Sequence, residues 1–188
     1  MSKSTLRLPL SRAANLAERI IDGLSAVCEP GYCIAAGSLR RCRPEVGDIE
    51  LVVIPRFAAS LLPDVPGASL LELTLNDWIG EGRLLSAGKN GGNVLKKYYL
   101  PTLGYDFKLE INISDPSRWP VELAIKTGSA DFSRKLVTHR AHGGFLPGHC
   151  RIRDGWQVWE GDSRRSFEGE RGFIEWICGK WIEPKDRN

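Results

Sequence analysis

The sequence lacks any apolar run that approaches the roughly 20 residues needed for a membrane-spanning helix. Its first residues contain no apolar stretch long enough for a secretory signal peptide. It has no CxxC pair, and its five cysteines are irregularly spaced, which argues against a zinc ribbon. Internal repeats, low-complexity tracts and long linkers are missing as well. We therefore expect a cytoplasmic protein with no membrane partner and with reduced thiols.

The composition that remains is ordinary for a globular protein. The chain has 188 residues, of which 42% are hydrophobic and 26% are charged. This length suits one domain with a sizeable core, with or without a small appended subdomain. The net charge is only +3, but positive residues cluster at 40–43 and recur between residues 126 and 153. Such clusters fit either a polyanionic partner or a solvated face.

Apolar periodicity and turn residues predict an α+β fold, because a helix is followed by several strands and then by a mixed end. Helices are expected at residues 11–25, 122–126, 132–140 and 173–178. Strands are expected at residues 32–36, 48–54, 70–75, 94–100 and 105–113, with short strands between residues 145 and 159. Gly37-Ser38 is expected to turn the chain, residues 88–92 to form a loop, and residues 101–104 to connect a hairpin.

Two acids open the most strand-like segment, Asp48-Ile49-Glu50-Leu51-Val52-Val53. Side chains alternate along a strand, so Asp48 and Glu50 point to the face opposite the core. Such a pair is often only a solvated face, but it is also a platform for Mg²⁺, which joins carboxylates to phosphates. The Gly37-Ser38 turn and the arginines after it offer a phosphate cradle. Together the two features favour phosphoryl transfer.

These residues resemble the signature of the family X DNA polymerases, to which DNA polymerase beta belongs. That signature reads Gly-Ser, a hydrophobic residue and Arg-Arg, then Gly-Asp, a hydrophobic residue and Asp. Here Gly37-Ser38-Leu39-Arg40-Arg41 and Gly47-Asp48-Ile49-Glu50 are similar to it. Downstream, Lys108-Leu109-Glu110-Ile111 resembles the strand with the third metal-binding acid, and Thr127-Gly128-Ser129 resembles the segment that closes over the nucleotide.

The resemblance implies a nucleotidyltransferase palm over residues 1–118, with a mixed sheet, and a small C-terminal subdomain over residues 119–188. It implies that two Mg²⁺ ions, replaceable by Mn²⁺, are held by Asp48, Glu50 and Glu110. Glu110 is also expected to accept the proton of the attacking 3′-hydroxyl. The residues expected to bind the nucleotide are Gly37, Ser38, Arg41 and Gly47 at the triphosphate, and Thr127 and Gly128 at the sugar and base.

The expected substrates are a nucleoside triphosphate and a primed or gapped DNA, and the expected reaction is short-gap synthesis in repair by a monomer. A palm followed only by a C-terminal segment resembles the smallest viral members of the family. Two alternatives stay open. One is a template-independent transferase that acts on RNA, a small molecule or a protein. The other is a catalytically weak module that binds nucleotide or nucleic acid.

Glutamate stands where the family has aspartate at both Glu50 and Glu110. The extra methylene loosens the placement of the metal ions, but glutamate is still a metal ligand. We therefore expect activity to survive, with Mn²⁺ preferred. Ile125 and Lys126 replace aromatic residues that precede Thr-Gly in the family, and this predicts weak discrimination between ribose and deoxyribose.

Positive residues in the C-terminal third are candidates for contacts with a nucleic-acid backbone. They are Arg134, Lys135, Arg140, Arg151 and Arg153. The same region holds His139, His142, His149 and Cys150, whose spacing is irregular. We interpret those four as polar surface in preference to a zinc site.

Overall fold

The computed structural model of the chain describes residues 6–60, 67–88, 94–103, 107–153 and 155–188. Its helices are α1 (Leu10–Ser25), α2 (Gly37–Arg40), α3 (Leu70–Gly80), α4 (Trp119–Thr127), α5 (Ala130–Val137) and α6 (Gly169–Cys178). Its strands are β1 (Leu8–Pro9), β2 (Cys28–Ala35), β3 (Glu45–Val46), β4 (Asp48–Pro55), β5 (Leu85–Ser86), β6 (Leu95–Tyr99), β7 (Lys108–Ile113), β8 (Cys150–Arg153), β9 (Gln157–Glu160) and β10 (Ser163–Arg165). The predicted α+β class is confirmed.

A mixed five-stranded sheet occupies the centre of the fold, in the order β2-β4-β7-β6-β5. Its β4 and β7 strands run parallel, while the other neighbouring pairs are antiparallel. A parallel pair needs a long crossover connection, and here α3, β5 and β6 lie between the two strands in sequence. The three C-terminal strands form a separate antiparallel sheet in the order β10-β9-β8.

The two faces of the central sheet are covered by different helices. On one face, Ile49, Leu51 and Val53 of β4 belong to a buried cluster with residues of α1 and α3. On the other face, Val52 and Ile54 pack with Trp119 and Leu123 of α4. Side chains alternate along β4, so Asp48 and Glu50 lie on the same face as Val52, which is the α4 face. They stand at the start of β4, whereas Trp119 of α4 covers the other end of the strand.

The C-terminal part of the chain has a buried cluster of its own. Its members come from α4, α5, α6 and the small sheet and include Leu136, Cys150, Val158 and Phe173, each 0% exposed. The division of the chain at residue 118 stays a prediction. No helix within the described ranges is long and apolar enough to cross a membrane.

The expectation of a strand at residues 70–75 is wrong, because this segment is the first half of α3. Ser69 caps the helix by accepting a hydrogen bond from the Glu72 amide. Leu71, Leu75 and Trp78 then recur at helical spacing and are buried against the central sheet. A leucine-rich run of six residues fits both periods, and the capping pattern with the later Trp78 resolves the ambiguity.

Most other predicted elements are confirmed, with shifted ends. The helix expected at 132–140 ends at Val137, and Gly37-Ser38 begins the short helix α2 instead of a simple turn. The expected hairpin is the antiparallel pair β6 and β7. Part of its connection, residues 104–106, and most of the loop expected at 88–92 lie outside the described residues.

Alanine substitutions at two glycines would test how closely α1 and α3 pack against each other. A Cβ at Gly23 of α1 would lie 2.7 Å from Cζ2 of Trp78, whereas a Cβ at Gly80 of α3 would meet nothing within 4 Å. We expect Gly23→Ala to lower the free energy of unfolding by about 1–3 kcal/mol through overpacking. Gly80→Ala should raise it by up to about 1 kcal/mol through helix propensity. Urea denaturation of both variants checks this, and equal shifts would contradict the packing.

Candidate active site

Three carboxylates lie side by side on the α4 face of the central sheet. The parallel register pairs Glu50 of β4 with Glu110 of β7, and it pairs Asp48 with Lys108. Leu109 and Ile111 point into the core on the opposite face, so Glu110 shares the face of the two β4 acids. The pairing of two distant segments therefore brings together the three acids that the sequence singled out.

Mutual repulsion and burial raise the pKa of two of these acids. Burial is the largest cause at Glu50, followed by the charges of Asp48 and Glu110, and together they raise its pKa from 4.5 to about 7. Burial and then Glu110 raise the pKa of Asp48 as well, while Lys108 opposes the shift. Such a cluster favours any cation that neutralises it. Its oxygen ligands suit Mg²⁺ or Mn²⁺.

Gly37 lets the Glu50 carboxylate lie directly against the start of α2. The glycine has a φ of +60°, a conformation that residues with a Cβ rarely adopt. A Cβ at this position would also lie 1.8 Å from Glu50 Oε2. The positive φ favours glycine here, and a side chain would also displace the Glu50 carboxylate, which gives a physical reason for the glycine of the motif.

Lys97 of β6 supplies the positive charge next to the third acid. Its Nζ lies 2.7 Å from Glu110 Oε1, and both side chains are less than one fifth exposed. The ligand atoms of Asp48, Glu50 and Glu110 are not all within 4.8 Å of one another; within the described residues, that spacing is met by His149, Cys150 and Glu160. The three acids are thus spaced more widely than a close ligand group, and Lys97 already neutralises part of the charge that a divalent cation would neutralise.

An open cavity of about 580 Å³ lies beside the start of α2. The residues that line it are Arg7, Ser38, Arg41, Arg43, Pro44 and Glu45. Arg41 Nε is buried and has no hydrogen-bond partner among the described residues. Burial and the charge of Arg43 lower the pKa of Arg41, so its positive charge is incompletely compensated. The cavity is thus suited to a compact anion such as a phosphate chain.

The two arginines of the motif also hold the segment after α4. Arg41 Nη1 donates to the carbonyls of Thr127, at 2.6 Å, and Gly128, at 2.8 Å. Arg40 donates to the Thr127 hydroxyl at 2.7 Å and forms a bidentate ion pair with Glu170 of α6. Arg187 Nη1 completes the network at 2.5 Å from Glu170 Oε1.

Thr127 is 0% exposed, and its hydroxyl is already engaged by Arg40. In this arrangement its side chain supports the arginines. The expected contact of Thr127 and Gly128 with sugar and base stays a prediction. Gly47 lies next to the cavity, since a Cβ there would approach Arg7 Nη1 to 3.9 Å.

The five positive residues expected to contact nucleic acid lie in α5, in the turn after it and in β8. Arg134 and Lys135 of α5 form ion pairs with Asp131, and Arg140 donates to the Phe145 carbonyl. Arg151 and Arg153 are exposed on one side of β8. Their contact with nucleic acid stays a prediction.

Sequence reasoning missed three residues near the acids. Arg7 lines the cavity, and its charge opposes the rise in the pKa of Asp48. The charges of Lys108 and Lys97 oppose that rise as well. Lys97 was visible only as part of a Lys-Lys pair, and Arg7 precedes the first helix without any motif. Lys108 belongs to the segment in which only the acid was given a role, and strand pairing sets Lys97 and Lys108 beside the acids.

The raised pKa of Glu50 predicts how stability depends on pH. The unfolded chain ionises Glu50 near pH 4.5, whereas the folded chain keeps it protonated until about pH 7. Stability should therefore fall as the pH rises through this window, by roughly 3 kcal/mol at most for this group. Glu50→Gln should flatten the fall, while the exposed Glu18→Gln should not. Denaturant titrations across the window, with a chelator present, measure both; an unchanged slope in Glu50→Gln would refute the proposed cause.

Comparison of the chain with models of known protein families finds no match. Comparison with curated proteins finds no similar sequence either. The resemblance to family X DNA polymerases therefore depends on the motif residues themselves. The structural arguments about function come from the three acids, Gly37 and the arginine-lined cavity.

Proposed function

We propose that this chain is a metal-dependent nucleotidyltransferase of the DNA polymerase beta type. It transfers a nucleotide from a nucleoside triphosphate to a 3′-hydroxyl, in short-gap synthesis on DNA. The observation that carries the proposal is the parallel pairing of β4 with β7, which sets Glu50 beside Glu110 on the face that holds Asp48. An arginine-lined cavity lies next to that face.

Asp48, Glu50 and Glu110 are the residues that would hold Mg²⁺ or Mn²⁺. Their fit to a cation is supported by the raised pKa of Glu50 and Asp48, because burial first and repulsion between the acids second disfavour their charges, and bound positive charge relieves both. When bound, two such ions would activate the attacking hydroxyl and stabilise the leaving pyrophosphate. The chain's own contribution is to orient the three acids on rigid, paired strands.

Ser38, Arg41 and the neighbouring Arg7 and Arg43 would bind the triphosphate in the cavity they line. Arg41 lines this cavity while its Nη1 is bonded to the segment after α4. Guanidinium groups pair well with phosphate oxygens because their donors form a planar fork. Glu110, on the adjacent strand, is proposed to accept the proton of the 3′-hydroxyl.

A second candidate is a module that binds nucleotide with little turnover. The observation in its favour is the ion pair between Lys97 and Glu110, which occupies one of the three acids. This alternative is favoured if the wild-type chain binds nucleotide but incorporates none, first with Mg²⁺ and then with Mn²⁺.

Asp48→Asn tests the catalytic proposal, because it removes one acid and leaves the shape of the side chain. Extension of a gapped DNA primer should fall on the order of a hundredfold or more, since metal placement is lost. The matched control is Glu72→Gln on α3, whose carboxylate pairs with Lys96 at 2.8 Å on the other face of the sheet. The control should keep wild-type activity.

The same assay with a single-stranded primer separates gap filling from template-independent transfer. Incorporation that is undiminished in Asp48→Asn would contradict the assignment of the acids. A wild-type chain inactive with both Mg²⁺ and Mn²⁺ would contradict the transferase itself.

Arg7→Gln tests the triphosphate cavity and leaves the three acids themselves in place. Loss of one charge-assisted contact should weaken the binding of a fluorescent nucleoside triphosphate analogue about tenfold. Arg12→Gln removes an exposed charge from the nearby helix α1 and is the matched control. If both variants lower affinity equally, the effect comes from overall charge and the cavity is not the binding site.

A further inference from the structure

A second group of potential metal ligands lies far along the chain from the three acids, in the small C-terminal sheet. Antiparallel pairing sets Cys150, the first residue of β8, directly opposite Glu160, the last residue of β9. Cys150 Sγ lies 3.7 Å from Glu160 Oε1. One ligand atom from each of His149, Cys150 and Glu160 lies within 4.8 Å of the other two.

The chemistry of this set differs from that of the central sheet. A sulfur, an imidazole nitrogen and a carboxylate oxygen are the three ligand types that zinc accepts, usually in a tetrahedral arrangement. A sulfur ligand disfavours Mg²⁺, which requires oxygen. We propose that His149, Cys150 and Glu160 form a binding site for a zinc ion, with solvent as the fourth ligand.

The burial of the three residues fits such a site. Cys150 is 0% exposed, and Glu160 is half-buried, whereas His149 is exposed and leaves the site open to solvent on its side. When the ion binds, the Cys150 thiol loses its proton to water and the sulfur becomes a ligand. No electron is transferred and no co-reactant is needed.

Neighbouring groups hold the ligands in place. The His139 ring Nε2 lies 2.9 Å from the Cys150 carbonyl, so it fixes the backbone at the cysteine. Arg165 Nη1 pairs with Glu160 Oε1 at 2.7 Å. Because Cys150 Sγ approaches that same oxygen, the carboxylate has to rotate about its last bond so that Glu160 binds a cation through one oxygen and keeps Arg165 on the other. Supporting contacts of this kind are what orient ligands in metal sites.

Sequence spacing disfavoured zinc because it considered only histidines and cysteines close together in the chain. Glu160 enters the set through strand pairing, and His139 and His142 are not ligands in it. The ion would connect the loop that ends at His149 with both strands of the β8–β9 hairpin. Its role would be to stabilise the C-terminal segment, independently of nucleotide transfer.

Zinc binding to the full chain, after treatment with a chelator, tests the proposal. Calorimetric titration with zinc chloride should give one ion per chain and a higher melting temperature. Replacing zinc with Co²⁺ should produce a sulfur-to-cobalt charge-transfer band that Cys150→Ser abolishes. His149→Gln should weaken zinc binding roughly tenfold or more, because it removes a direct ligand.

Matched controls come from exposed residues of the same types. His142→Gln and Cys42→Ser should bind zinc as the wild type does. Asp48→Asn should also keep the zinc, so failure here is distinguishable from failure of the proposed transferase. Since His149 is exposed, its variant decides the matter even if Cys150→Ser does not fold. Absence of stoichiometric zinc, or wild-type affinity in His149→Gln, would overturn the site.

Discussion

Repulsion between carboxylates on paired parallel strands is the constraint on which the rest of this structure depends. Asp48, Glu50 and Glu110 share one face because β4 and β7 pair in register, and apolar side chains fill the opposite face. Burial, and after it the like charges of Asp48 and Glu110, raise the pKa of Glu50 and so oppose its ionisation in the folded chain. Lys97 and Lys108 place positive charge beside these acids. A cluster of acids that destabilises the fold and has shifted pKa values is typical of a functional site.

The arginines of the motif connect this sheet face to the end of the chain. Arg40 and Arg41 together bond to Thr127, Gly128 and Glu170, and Glu170 also bonds to the fully buried Arg187. Buried charges are tolerated only when they are paired and hydrogen-bonded. The network therefore fixes α2, the end of α4 and α6 relative to one another. Arg41, which lines the arginine cavity, is held in this network by the carbonyls of Thr127 and Gly128.

Two groups of potential metal ligands with different chemistry thus occur in one short chain. The central sheet presents oxygen ligands in a field of surrounding lysines and arginines, as a site that shares its cation with phosphates requires. The C-terminal hairpin and the residue before it present sulfur, nitrogen and oxygen, the ligand types that zinc accepts. Both groups are assembled by strand register, which sets opposite residues within reach of each other.

The sequence by itself determined the helix α1, the strand β4 and the common face of Asp48 and Glu50. These follow from periodicities of a few residues, which local backbone geometry imposes wherever the segment lies. It also identified Gly37, although the reason, the approach of Glu50 to its backbone, is visible only in three dimensions. The short run at 70–75 was ambiguous, because six residues cannot separate a helical from a strand period.

Only the tertiary structure decided which distant residues meet. It placed Arg7 and Lys97 beside the acids, gave Arg41 its carbonyl partners, and set Cys150 opposite Glu160. These contacts depend on which strands pair, in what register, and on which helices pack against them. That choice is made by burial of the whole core, since no single segment carries enough apolar surface to fix it alone.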